Sequence, residues 1–143
     1  MRKVAVRGRG RKAAASSLGD NQVVDIRLKR AYDTAEPSDG YRVLVDRLWP
    51  RGVSKEEAKV DEWARDLAPS GELRKWFSHD PSRFDEFRAR YMQELRSRRA
   101  QLTDLRRRAR QGRLTLVYAA RDTEHNDAVV LAEALRRGLP AGP

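Results

Sequence analysis

Val24, Ile26 and Leu28 alternate with Asp25 and Arg27, the period of a strand that buries one face. A second apolar stretch, Val43-Leu44-Val45, is contiguous and predicts a central strand covered on both sides. Leu114 to Ala120 is also compact and apolar, and being too short for a helix it predicts a third buried strand. Between the first two, Glu36-Pro37-Ser38-Asp39-Gly40 punctuates a loop rather than a crossover helix.

Helical patterns fill most of the remainder. Ser54 and Glu57 form a capping box, and Val60, Trp63, Ala64 and Leu67 fall on one face of the helix it opens, which Pro69 ends. Ser70 can cap a shorter helix whose Leu73, Trp76 and Phe77 share a face. Asp80-Pro81 opens a long one, striped by Phe84, Phe87, Tyr91 and Leu95 and continued by Leu102, Leu105 and Ala109 to a C-terminal cap at Gly112. A final helix spans about Thr123 to Arg137, with Asp122 or Thr123 as its cap and Gly138 and Pro140 as its stop. Strands separated by helices imply an α/β fold: a small, mostly parallel sheet of three or four strands with helices packed on it, and a helix-rich insertion between strands two and three.

Composition refines this outline. Residues 1–21 are rich in Arg, Gly, Ala and Ser and have no hydrophobic period, which predicts a disordered basic tail before a single α/β domain over 22–143. The formal net charge of +10 invites a nucleic-acid partner, yet half of it sits in the tail, where six Arg and Lys face only Asp20 within residues 1–20. The absence of cysteine rules out disulfides, thiolate-bound zinc and cysteine nucleophiles, and fits a reducing, cytoplasmic setting. No run reaches the roughly 18 apolar residues that a membrane span requires, and the N-terminus lacks a secretory apolar stretch. No membrane partner is expected.

In parallel sheets ligands gather beyond the carboxyl ends of the strands, which singles out two loops. In Asp46-Arg47-Leu48-Trp49-Pro50-Arg51-Gly52, Arg47 and Arg51 can grip a phosphate or carboxylate and Trp49 can stack on a ring. The alternative there is a core-plugging Trp49 with Asp46 and the arginines in structural ion pairs. In Arg121-Asp122-Thr123-Glu124-His125-Asn126-Asp127, His125 is the candidate catalytic proton carrier, with Asp122 to orient it. Arg121 and Asn126 join Arg47, Trp49 and Arg51 as ligand-binding candidates. The loop's own carboxylates compete with any phosphate for the positive helix start, and local capping is the alternative role for the whole segment.

A third cluster, Leu73 to Pro81, holds Lys75 and His79 as further pocket candidates beside a core-forming Trp76 and Phe77. His79 and His125 fall in no recognised ligand spacing, so no metal site is expected, while a carboxylate-bound magnesium stays open and no cofactor is named. Nucleophile-elbow, phosphate-loop and dinucleotide-binding patterns are absent. Arg96, Arg98, Arg99, Arg106, Arg107, Arg108 and Arg110 make the long helical region basic, either as a solvated face or as phosphate-backbone contacts.

Four stretches occur in order: Tyr41-Arg-Val-Leu-Val-Asp-Arg-Leu-Trp-Pro-Arg-Gly52, Asp66-Leu-Ala-Pro-Ser70, Leu73-Arg-Lys-Trp-Phe-Ser-His-Asp-Pro81 and Leu116-Val-Tyr-Ala-Ala-Arg-Asp-Thr-Glu-His-Asn-Asp-Ala128. Together they resemble the family called domain of unknown function 488, of YeaO-like type, over about Ile26 to Leu135. The resemblance implies a soluble bacterial α/β protein and carries no established reaction. Some more distant members of that family look cysteine-bearing at the final loop, where this chain has none. The reading that results is an enzyme or binding protein for a small anionic or nucleotide-like ligand at the strand ends. The rival is a nucleic-acid-binding or regulatory accessory protein that uses the tail and the Arg-rich helix.

Overall fold

The two faces of the sheet are set by alternation along its strands. The computed structural model describes residues 23–140, so the basic N-terminal tail lies outside the described residues. Four strands, β1 (Ile26–Arg30), β2 (Tyr41–Leu44), β3 (Glu62–Trp63) and β4 (Leu114–Tyr118), form one parallel sheet in the order β1-β4-β2-β3. All five residues of β4 are buried, as expected of a strand with a neighbour on each side and cover on both faces. The half-polar β1 is an edge strand.

Val43, Val45, Leu114, Leu116 and Tyr118 point toward the main core, beneath α3 (Phe84–Leu95), α4 (Arg99–Gln111) and α5 (Asp127–Arg137). Leu44 and Val117 point the other way, into a small cluster closed by Trp49, Val60 and Trp63. That second face is thin and partly polar. Arg42 is 3% exposed there, and donates to Asp39 at 2.7 Å and to the Ala58 carbonyl at 3.0 and 2.7 Å. Burial pushes the Asp39 carboxyl up, but hydrogen bonds from the Glu36 amide, Lys29 and Arg42 outweigh it and hold the group below its ordinary value. Gly40 turns into β2 at φ 69°, and a Cβ on it would lie 2.2 Å from the Arg113 carbonyl oxygen.

Several local signals hold. Ser54 and Glu57 make the capping box of α1 (Lys55–Ala58), Ser70 caps α2 (Gly71–Phe77), and the Asp80 carboxylate accepts from the Ser82 amide at the start of the turn leading into α3. Three expectations are corrected. The helix opened by Ser54 stops after Ala58, because Lys59 turns left-handed at φ 46°; Trp63 then belongs to β3, not to a helical face with Val60, Ala64 and Leu67. Parallel pairing of Val43 with Glu62 and Leu44 with Trp63 outweighs the helical period, and the Trp63 indole donates to the Asp46 carbonyl at 2.8 Å. The long helix breaks at a 3-10 turn, Arg96–Arg98, into α3 and α4. The last helix starts at Asp127 with extended Asn126 as its cap, not at Thr123 with Asp122 or Thr123 capping.

Candidate functional site

Parallel strands bring the chain segments leaving β1, β2 and β4 to one edge, and a cavity of about 680 Å³ opens there. The exits are tied to one another. Arg30, at the end of β1, donates to the carbonyls of Ala120 at 2.8 Å and Ala119 at 3.1 Å. Asp46, just past β2, accepts from the Ala119 amide at 2.8 Å.

Six of the seven residues expected at the site line this cavity: Arg47, Trp49, Arg51, Arg121, Asp122 and Asn126. Arg47 donates through Nε to the Pro69 carbonyl at 3.0 Å. Trp49 is a wall: its indole nitrogen donates to the Val53 carbonyl at 2.6 Å and its ring stands edge-on to Trp63 at 5.4 Å. Asn126 is 2% exposed and spends its amide locally, with Nδ2 on the Asp122 carbonyl and Oδ1 accepting from the Val129 amide.

His125 is the residue the cavity does not include. Its ring stands edge-on to Phe84 at 5.1 Å, and Nδ1 lies 2.9 Å from Asp122 Oδ2. Asp122 turns back on its own loop, accepting from the amides of Glu124 at 2.9 Å and His125 at 3.0 Å. The Glu124 amide foremost, then the bonds from His125, hold its carboxyl below the ordinary value. Of the third cluster, His79 reaches the cavity and Lys75 does not.

The deepest chemistry comes from residues that the sequence offers as helix and loop formers. Asp127, the first residue of α5, has its carboxyl against that of Asp46. Burial, then the Asp46 charge, raise it well above the ordinary carboxylate range, although the Ala128 and Asp127 amides pull the other way. Asp127 therefore holds its proton to a higher pH than a free carboxyl does. Phe77 and Phe87, stacked at 4.3 Å, form the inner wall with Pro69, and Arg74 and Tyr32 join at the mouth. The available signal was positional: Asp46 follows the β2 run directly, and Asp127 opens the helix that follows β4. Asp46 makes no ion pair with Arg47 or Arg51 among the described residues, nor do those residues show three His, Asp or Glu side chains grouped to hold a metal.

Comparison with known proteins agrees with this geometry in extent. An uncharacterised protein of Mycobacterium tuberculosis is 46% identical over 110 residues, covering 77% of this chain and 92% of the relative. Uncharacterised protein YeaO of Escherichia coli is 46% identical over 113 residues, covering 79% of this chain and 98% of YeaO. No solved structure matches the chain. The family model described as the inactive DUF488-N3 subclade matches residues 25–141, a span that takes in every strand, every helix and both strand-exit loops, and the chain therefore belongs to that DUF488, YeaO-like family.

Proposed function

We propose that the protein binds a small anionic organic ligand in the cavity at the carboxyl edge of its sheet. One observation carries the reading: Arg47, Arg51, Arg74 and Arg121 converge on a single cavity, and none of them has an acidic partner among the described residues. Four guanidinium groups without an ion-pair partner, around a concave surface that also carries Asp46, Asp122 and Asp127, attract and orient a carboxylate or phosphate. Asn126 takes the Val129 amide in the first turn of α5 and Asp122 takes the Glu124 and His125 amides of the loop before it, so the proposed anion is held by arginines rather than by a bare helix end. Asp122 and His125 act as a positioning pair that fixes the loop bearing Arg121. The family's description as inactive favours binding over turnover.

Thermal-shift screening of sugar phosphates, nucleotides and small carboxylates tests this. A true ligand at a hundred times its Kd adds about 2.7 kcal/mol of stability. The double variant R74A/R121A should lose that gain while melting normally without ligand. Failure of every anion to stabilise a well-folded chain at millimolar concentration would reject the proposal.

A second reading, nucleic-acid contact, is favoured by Arg98, Arg99, Arg106 and Arg110, which have no acidic partner among the described residues. It expects RNA or DNA binding with a steep salt dependence that survives removal of residues 1–21. Binding confined to the tail would remove the body as a reader.

A further inference from the structure

The cavity is layered by chemistry. Arg51, Arg74 and Arg121 are exposed at its mouth, whereas Phe77 is 5% exposed and Phe87 2%. Between these levels stand Asp46 and Asp127, both half-buried and both lining the cavity. Asp127 holds its proton to a higher pH than a free carboxyl, so on the cavity wall it offers a hydroxyl donor beside the carboxyl oxygens of Asp46. Positive charge outside, flat apolar walls within and an adjacent donor and acceptor together describe the ligand by complementarity.

A bare phosphate or diphosphate fits only the mouth, since deeper entry would bring its charge against Asp46. A sugar phosphate could place hydroxyls on Asp46 and Asp127 but would set the rest of its polar ring against Phe77, Phe87 and Pro69, which costs free energy for every buried group without a partner. A planar heterocycle satisfies both layers. Its faces pack on the apolar walls, and a cyclic amide or amidine edge offers the acceptor and donor that the paired carboxyls require. The volume of about 680 Å³ is of the size that takes such a molecule.

We infer that the ligand is a nucleotide held base-first, its heterocycle edge on Asp46 and Asp127 and its phosphate on the arginines at the mouth. This rests on the proposal that the cavity binds an organic anion. It separates two functions within the site: the arginines supply affinity for the anion, and the aspartate pair selects the base.

Isothermal titration of the full chain at low salt with AMP, GMP, CMP and UMP, beside ribose 5-phosphate, tests the inference. At least one nucleotide should bind ten times more tightly than ribose 5-phosphate. Asp46→Asn should erase that margin while ribose 5-phosphate binds at least as well as before, since the variant removes a negative charge from the cavity, and a urea melt would establish that it is folded. Asp127→Ala, expected to behave alike, serves if Asp46→Asn does not fold. Equal affinity for ribose 5-phosphate and all four nucleotides would overturn base recognition, while dependence of both on Arg74 and Arg121 would keep the anion site. If none of the five binds although another screened anion does, the nucleotide is wrong and the anion site stands. If nothing binds, both fall.

Discussion

Replacing Asp127 by Asn should make the folded protein more stable at neutral pH, and the gain should grow as pH rises. The folded carboxyl titrates above its ordinary value because burial and the neighbouring Asp46 both disfavour its charge. In the unfolded chain the group titrates near about 3.9. Between those two values the native state binds more protons than the unfolded state, so stability falls as pH increases. The contribution is fully present below the unfolded value and is lost as pH passes through the folded one. One proton of difference gives a slope of at most about 1.4 kcal/mol per pH unit. Asparagine keeps the shape and cannot ionise, so the variant lacks that slope. Urea unfolding of both proteins from pH 4 to 8 yields the difference curve directly, and every carboxylate except the neighbouring Asp46 cancels in it. A difference that is independent of pH, or one in which the natural protein gains on the variant as pH rises, would refute the raised carboxyl.

Other expectations concern the scaffold that holds the site. Gly40→Ala places a methyl group 2.2 Å from the Arg113 carbonyl oxygen at a positive φ, and should cost about 3 kcal/mol or more in a denaturant titration; a loss below 1 kcal/mol, on the order of a surface change, would contradict the close approach. Asp39→Ala strips Arg42 of its carboxylate at a site where the guanidinium is nearly inaccessible, and should cost roughly 3–5 kcal/mol, with the loss shrinking at low pH as Asp39 itself protonates. Leu116→Ala, in the central strand, should cost about 2–5 kcal/mol by calorimetry, and retention of full stability would mean that β4 is not the packed centre of the sheet.

The legibility of the fold varied with the range of the interaction responsible. β1, β2 and β4 were visible because burial on one or two faces writes directly into apolar periodicity. The caps at Ser54, Ser70 and Gly112 were visible because a cap is satisfied within three or four residues. β3 was hidden: two residues carry no period, and what makes Glu62 and Trp63 a strand is pairing with β2. The late start of α5 was hidden as well, since Asp122, Thr123 and Asn126 are all good capping residues and only the extended backbone at Asn126 settles which one caps.

For the site, the chain alone determined which loops would meet, because parallel strands must deliver their exits to a common edge. It also determined that arginines dominate those exits. Only the tertiary structure decided that His125 turns to Phe84 and Asp122 instead of the cavity, and that Asp127, which by position is a helix-start carboxylate, shares the cavity with Asp46 and titrates above its ordinary value. The physical reason is the same in both cases. A residue's hydrogen bonds within its own turn can be foreseen from its neighbours in sequence, whereas burial and the charge of a group some eighty positions away exist only once the sheet has brought them together.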